Sequence, residues 1–218
     1  MRWAHYHLNA EGRHRISAAV HAAEKRTAGE IVPVLARRSA QYGHVVWLAS
    51  ALAFIALAAS GWSLGRHLLP WGVRGGLLID VVAAAISGWG LAHFHWVRRA
   101  LTPRRDQVAA VHRAAELAFH RFHLHKARHD AGVLLYVSLE ERQAVVLAGP
   151  GLHLKAEAGH WDKVCKLLLQ GAAKRDLSAG FEQAIGHAGA QMAQAYPKKG
   201  REARPQLPDR LRILHEAP

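Results

Sequence analysis

Seventeen histidines in a chain of 218 residues are the first candidates for chemistry, because neutral imidazole is the ligand that zinc, copper and nickel share. The densest group is His120, His123, His125 and His129. The first two fall three residues apart on one helical face, and all four can approach a single ion together with Asp130. No second spaced pair comes from a distant element, so a solvated basic face at a helix end is the competing reading. Asp80 is unusual for a different reason. It lies within a long apolar run, where a carboxylate in hydrocarbon costs about 2.5 kcal/mol or more and is normally paired or functional; near the start of the run it can reach back toward Arg74. The glycines of "GPG" at 149–151 read as turn closure, since no strand-to-helix GxxxxGK[ST] pattern accompanies them. No nucleophile with a neighbouring base is visible.

The elements that must position these residues divide around two apolar runs. Val45–Leu64, "VVWLASALAFIALAASGWSL", has no ionisable residue and as a helix rises about 30 Å, a bilayer's hydrocarbon thickness. Gly75–Val97 has similar length. The ten residues between them predict a transmembrane helical hairpin over 45–97. Trp47, Trp62, Trp71, Trp89 and Trp96 lie in or around the runs, four of the five near an end, as interfacial indoles do. Residues 1–44 hold seven Lys/Arg against three Asp/Glu, and 98–218 hold twenty against twelve. The positive-inside rule then puts both termini in the cytoplasm of a bacterial inner membrane, with Arg37, Arg38, Arg98, Arg99, Arg104 and Arg105 against anionic lipid. That contact accounts for the formal charge of +13. Nucleic acid is not expected, because no aromatic-interleaved basic motif or zinc-finger spacing appears. The one cysteine, Cys165, cannot form an internal disulfide and fits a reducing compartment.

The flanks of these runs carry ordinary α/β signals. Asn9 caps a helix with Ile16, Val20 and Ala23 on one face. "EIVPVLA" reads as a strand that Pro33 assigns to an edge or a distorted start. After the second run, Thr102 and Pro103 open a helix with Val108, Val111, Ala115, Ala118 and Phe122 in one stripe. "GVLLYVS" and "QAVVLAG" form a hairpin across Glu140, Glu141 and Arg142. Trp161, Val164 and Leu168 mark the next helix; Ser178 caps the last, with Phe181, Ile185, Ala188 and Met192 aligned. Residues 197–218 read as a loose tail. A lone strand cannot satisfy its backbone, so "EIVPVLA" must join the later hairpin. The expected fold class is α/β, a small sheet of three or more strands packed with helices (α-β-α-β-β-α-α) and interrupted by the two-helix transmembrane hairpin. Residues 1–44 and 98–196 are then the two halves of one domain.

Three segments, "TAGEIVPVLARRSAQY", "HDAGVLLYVSLEERQAVVLAGPGL" and "KRDLSAGFEQAI", resemble in order and spacing the TPM domain family, named for its thylakoid, phosphatase and membrane-protein members, and most of all its short bacterial members with two inserted spans. The resemblance implies a membrane-anchored TPM-like accessory or scaffold protein. It also implies two alternatives, a divalent-cation-dependent acid phosphatase and a regulatory subunit serving a membrane-protein partner. It further implies a divalent cation such as calcium, held by Asp130 with Glu30 and Glu141. The family's Asp-Asn-Gly is here Asp130-Ala131-Gly132, so one amide ligand is missing.

Overall fold

The computed structural model describes residues 8–39, 43–59, 72–91, 94, 97, 100–127, 130–198 and 210–214. The chain forms two compact units, one of residues 1–40 and 108–218, the other of residues 41–107. In the first, helix α1 (Ala10–Glu24) starts where Asn9 accepts a hydrogen bond from the Gly12 amide at 2.7 Å. Strand β1 (Glu30–Ala36) follows. The second unit contains α2 (Gly43–Ala59) and α3 (Gly72–Leu91). Helix α4 (Arg104–Arg121) opens there and runs into the first unit, ending in a 3-10 turn at Leu124–Lys126. Then come β2 (Gly132–Ser138), β3 (Gln143–Ala148), the short α5 (Pro150–His153), α6 (His160–Ala173), α7 (Leu177–Ala195) and β4 (Arg212–Leu214).

The four strands make one mixed sheet in the order β3-β2-β1-β4. β1 and β2 run parallel over their full length, Glu30 opposite Gly132 through Ala36 opposite Ser138. β3 returns antiparallel to β2, and β4 runs parallel to β1. The pairing of "EIVPVLA" with "GVLLYVS" is therefore present, but β1 is internal rather than an edge. Pro33 is tolerated there because β4 begins only opposite Val34, so the residue without an amide proton has no partner on that side.

Strand alternation distributes the apolar side chains to two faces. Ile31, Leu35, Val133, Leu135 and Val137 meet Ile16 and Val20 of α1, Val164 and Leu168 of α6, and Phe181, Ile185 and Met192 of α7. Val32, Val34, Leu134 and Tyr136 meet Val111, Ala115 and Ala118 of α4 and Leu124 of the 3-10 turn. β1 and β2 are thus covered on both sides, which is why they read as nearly unbroken apolar runs. Two starts differ from expectation by a residue or two. The Pro103 carbonyl accepts from the Asp106 and Gln107 amides ahead of α4, and Asp176, not Ser178, caps α7 by accepting from the Ala179 amide at 3.0 Å.

The second unit overturns the membrane reading. No described helix is long and apolar enough to cross a membrane. α2 has 17 residues, about 25 Å at 1.5 Å per residue, short of a hydrocarbon core of about 30 Å. α3 has 20 residues but includes Arg74, Asp80 and glycines at 72, 75, 76, 88 and 90. Counting apolar residues along the sequence suggested two spans that the described helices do not supply. The fold is mostly helical with a small mixed four-stranded sheet, and among the described residues no helix pair qualifies as a transmembrane hairpin.

Candidate functional site

Two features stand apart from ordinary core packing. The first is the surface of the helical unit. Between α2 and α3 lie small residues: Ala49, Ala84 and Gly88 are buried. A Cβ on Gly88 would stand 2.2 Å from Ser50 Oγ and 2.5 Å from its Cα, so the backbones touch at that point, and Val45, one turn before Ala49, is the larger apolar residue of α2 that is buried. The large apolar side chains are displaced outward. Trp47 is 78% and Ile55 61% exposed on α2, with Leu48 and Leu52 beside them; Ile86 is 65% and Trp89 61% exposed on α3, with Val81 and Val82. Each set recurs at i, i+1, i+5 and i+8, one continuous helical stripe.

The second feature is a buried polar chain at the carboxyl ends of β1 and β2. Tyr136 points to the α4 side of the sheet, and its hydroxyl lies 2.9 Å from Ser39 Oγ. Ser39 Oγ donates to Ser138 Oγ at 2.8 Å, and Ser138 Oγ donates to the Glu141 carboxylate. Each hydroxyl has one proton. Since Ser138 spends its proton on Glu141 and Ser39 on Ser138, Tyr136 must donate to Ser39. The Ser39 amide also donates to both Glu141 oxygens at 3.2 and 3.3 Å. Burial pushes the Tyr136 phenol above its usual range; the Ser39 bond opposes this and the Glu141 charge reinforces it. The four-residue turn 139–142 splits its two acids accordingly. Glu140 meets Arg37 at 3.3 Å on the surface, whereas Glu141 is 1% exposed.

The proposed cation ligands do not converge. Glu30 and Asp130 lie at the amino ends of β1 and β2, where the Glu30 amide bonds to the Ala131 carbonyl at 3.2 Å. Glu141 follows the far end of β2, about 20 Å away for strands of this length. Asp130 is exposed, with φ of 54°. Among the described residues no group of three or more His, Cys, Asp or Glu side chains is arranged to hold a metal ion. His120, His123 and His125 do cluster, with ring centroids 5.1 Å apart for His120–His125 and 5.9 Å for His123–His125; His129 lies outside the described residues. Arg104 and Arg105 are exposed at the start of α4 and Arg37 lies beyond β1, while Arg38 is half-buried there. Arg98, Arg99 and the Asp80 side chain lie outside the described residues. Cys165 is half-buried on α6, its thiol pushed up by burial.

Against known proteins, no family model matches this chain and no curated protein does. One solved structure resembles it: the NMR structure of the BA42 protein from the psychrophilic bacterium Bizionia argentinensis, at a TM-score of 0.57, 17% identity and 94% coverage of each chain. That likeness shows a shared fold. The TPM resemblance is accordingly not sustained: its motifs are short, strand-plus-turn patterns that hydrophobic alternation produces in many sheets, and the spans that made it specific are not spanning helices. The membrane readings that rested on it go with it. A membrane anchor, anionic lipid or a membrane-protein complex as partner, and residence in the inner membrane with cytoplasmic termini have no spanning helix among the described residues to support them.

Proposed function

We propose that this chain acts by self-assembly: the helical unit of residues 41–107 pairs with the same unit of a second copy, and the α/β unit is displayed by the resulting dimer. The observation that carries this is the inverted packing of α2 and α3, small residues inside and large apolar residues outside. A two-helix hairpin has no core of its own beyond that thin seam. Two such hairpins laid stripe to stripe form a four-helix bundle with the large side chains as its interior.

The exposed area is of the size such an interface needs. Trp47 and Trp89 leave roughly 300 Å² uncovered at their measured exposures, for indoles that bury about 200–250 Å² in full. The seven aliphatics from Leu48 to Leu91 add about 400 Å², at about half of a side chain worth 1.5–3 kcal/mol of burial. The sum, about 700 Å² per copy, compares with about 800 Å² per partner in standard interfaces and exceeds the usual few hundred Å² of a monomer's patch. From 45 to 56 and from 81 to 91 neither helix carries a charged residue. These stripes therefore offer no charge for a differently charged partner to complement, and an identical apolar stripe suits them.

The test is sedimentation equilibrium of the full chain at micromolar concentration beside the Trp47→Glu/Ile86→Glu double variant. The expected result is a dimer that becomes monomeric in the variant while the far-UV circular dichroism is kept. A monomeric wild type, a variant of unchanged mass, or transfer of the wild type onto lipid vesicles in place of dimerisation would each overturn the proposal.

A further inference from the structure

The histidine group at the end of α4 is independent of the helical unit and of the polar chain. Its geometry follows from local backbone rules. α4 ends as the Phe122 amide bonds to the Ala118 carbonyl and the His123 amide to that of His120 at 2.9 Å. His123 then takes the left-handed conformation, φ 53°, which reverses the chain. The Lys126 amide returns to the His123 carbonyl at 2.8 Å, closing the 3-10 turn, and Leu124 anchors that turn in the core without exposure. The reversal brings His125 back over His120.

We propose that His120 and His125 form a two-imidazole chelate for a borderline transition-metal ion such as zinc, nickel or copper(II), with His123 beside them and water completing the shell. Zinc–imidazole bonds of about 2.0–2.1 Å at a tetrahedral angle of about 109° set two ligating ring centroids about 5 Å apart, and the pair stands at 5.1 Å. The ring of His123 stands 5.9 Å from that of His125. Metal binds the neutral imidazole. The carboxyl end of α4 favours a cation through its helix dipole. Lys126, Arg121 and Arg212, which lies over the Phe122 ring at 5.4 Å, oppose it, so micromolar rather than nanomolar affinity is expected. Nitrogen ligands select against calcium and magnesium.

The experiment is calorimetric titration of the full chain with nickel and with zinc at pH 7.5. It compares wild type, His120→Gln/His125→Gln, and the control His112→Gln/His153→Gln, whose rings are also exposed. The tightest site should weaken at least tenfold in the first variant and by less than twofold in the control. Copper(II) at one equivalent should show nitrogen superhyperfine structure that the first variant loses. A tightest site unchanged in that variant, equal weakening in the control, or no binding by the wild type would overturn the proposal.

Discussion

Replacing Glu141 by leucine removes the acceptor on which the polar chain ends. In the native protein the carboxylate takes the Ser39 amide at 3.2 and 3.3 Å and the Ser138 hydroxyl, and the residue is 1% exposed. Both donors are buried as well. Leucine leaves each stranded, at about 1–3 kcal/mol per buried unsatisfied group, so a loss of about 3–5 kcal/mol is expected. Glutamine keeps one acceptor oxygen and turns an amine on the other donor, with an expected loss of about 2 kcal/mol. Adding Ser138→Ala to the leucine variant removes one stranded donor. The two changes should therefore couple by about 1 kcal/mol or more, the leucine penalty being smaller in the alanine background. Tryptophan fluorescence reports mainly the helical unit, where Trp47 and Trp89 lie. The α/β unit is better followed by native-state amide exchange, with β2 amides for global opening and the Ser39 amide for the local effect. A leucine variant that loses less than about 1 kcal/mol on β2 and keeps a protected Ser39 amide would refute this reasoning.

Two further outcomes follow from the same strand ends. Tyr136→Phe deletes the first donor of the chain and should cost about 1 kcal/mol at neutral pH. It should also change the alkaline profile: because the folded phenol is held above its unfolded value of about 10, its contribution is intact below that pH and is lost as pH rises through the folded value, a decline that amide-exchange or denaturant curves should show in wild type and not in the variant. Gly149→Ala places a Cβ 1.8 Å from the Asp130 carbonyl oxygen and 2.7 Å from its carbon. Since backbone must move to admit it, a loss of about 2–3 kcal/mol or more is expected in β3 amide exchange, and a neutral result would show that the segment before β2 yields freely.

What could be read in the sequence was set by range. β1 and β2 announce themselves as nearly unbroken apolar runs because both their faces are buried, and the stripes of α1 and α7 show through spacing because a helix of this length buries one face. Asn9 is read correctly because a cap and its partner are three residues apart. β4 is not legible: its three residues have no periodicity, they lie in a segment that composition marks as tail, and their partner Val34 is far away in the chain. Glu141 is the instructive case. From the sequence it is one of two adjacent acids in a turn, and a resemblance makes it a metal ligand. The structure makes it the acceptor for Ser39, about a hundred residues earlier. The available signal was compositional: Ser39, Ser138 and Glu141 are polar residues directly at the ends of two apolar strands expected to pair, where each needs a partner.

The apolar runs were misjudged through a related omission, and the correction bears on how the two units coexist in one chain. β1 and β2 are parallel, so a crossover must join them, and α4 lies on the sheet face where a crossover helix belongs. The helical unit is inserted into the first half of that crossover. An insertion of about 70 residues adds little closure cost, since that cost grows with the logarithm of length. The vulnerable point is where the chain leaves the sheet. The Arg37 amide bonds to the Leu214 carbonyl at 3.0 Å and the Glu140 amide to the Arg37 carbonyl at 3.0 Å, and Ser39 is held by both its amide and its hydroxyl. Glu141 fastens the last residues of the α/β unit before the inserted helices begin. A carboxylate buried there resists fraying of the chain after β1 better than an apolar contact, because it holds the backbone amide directly.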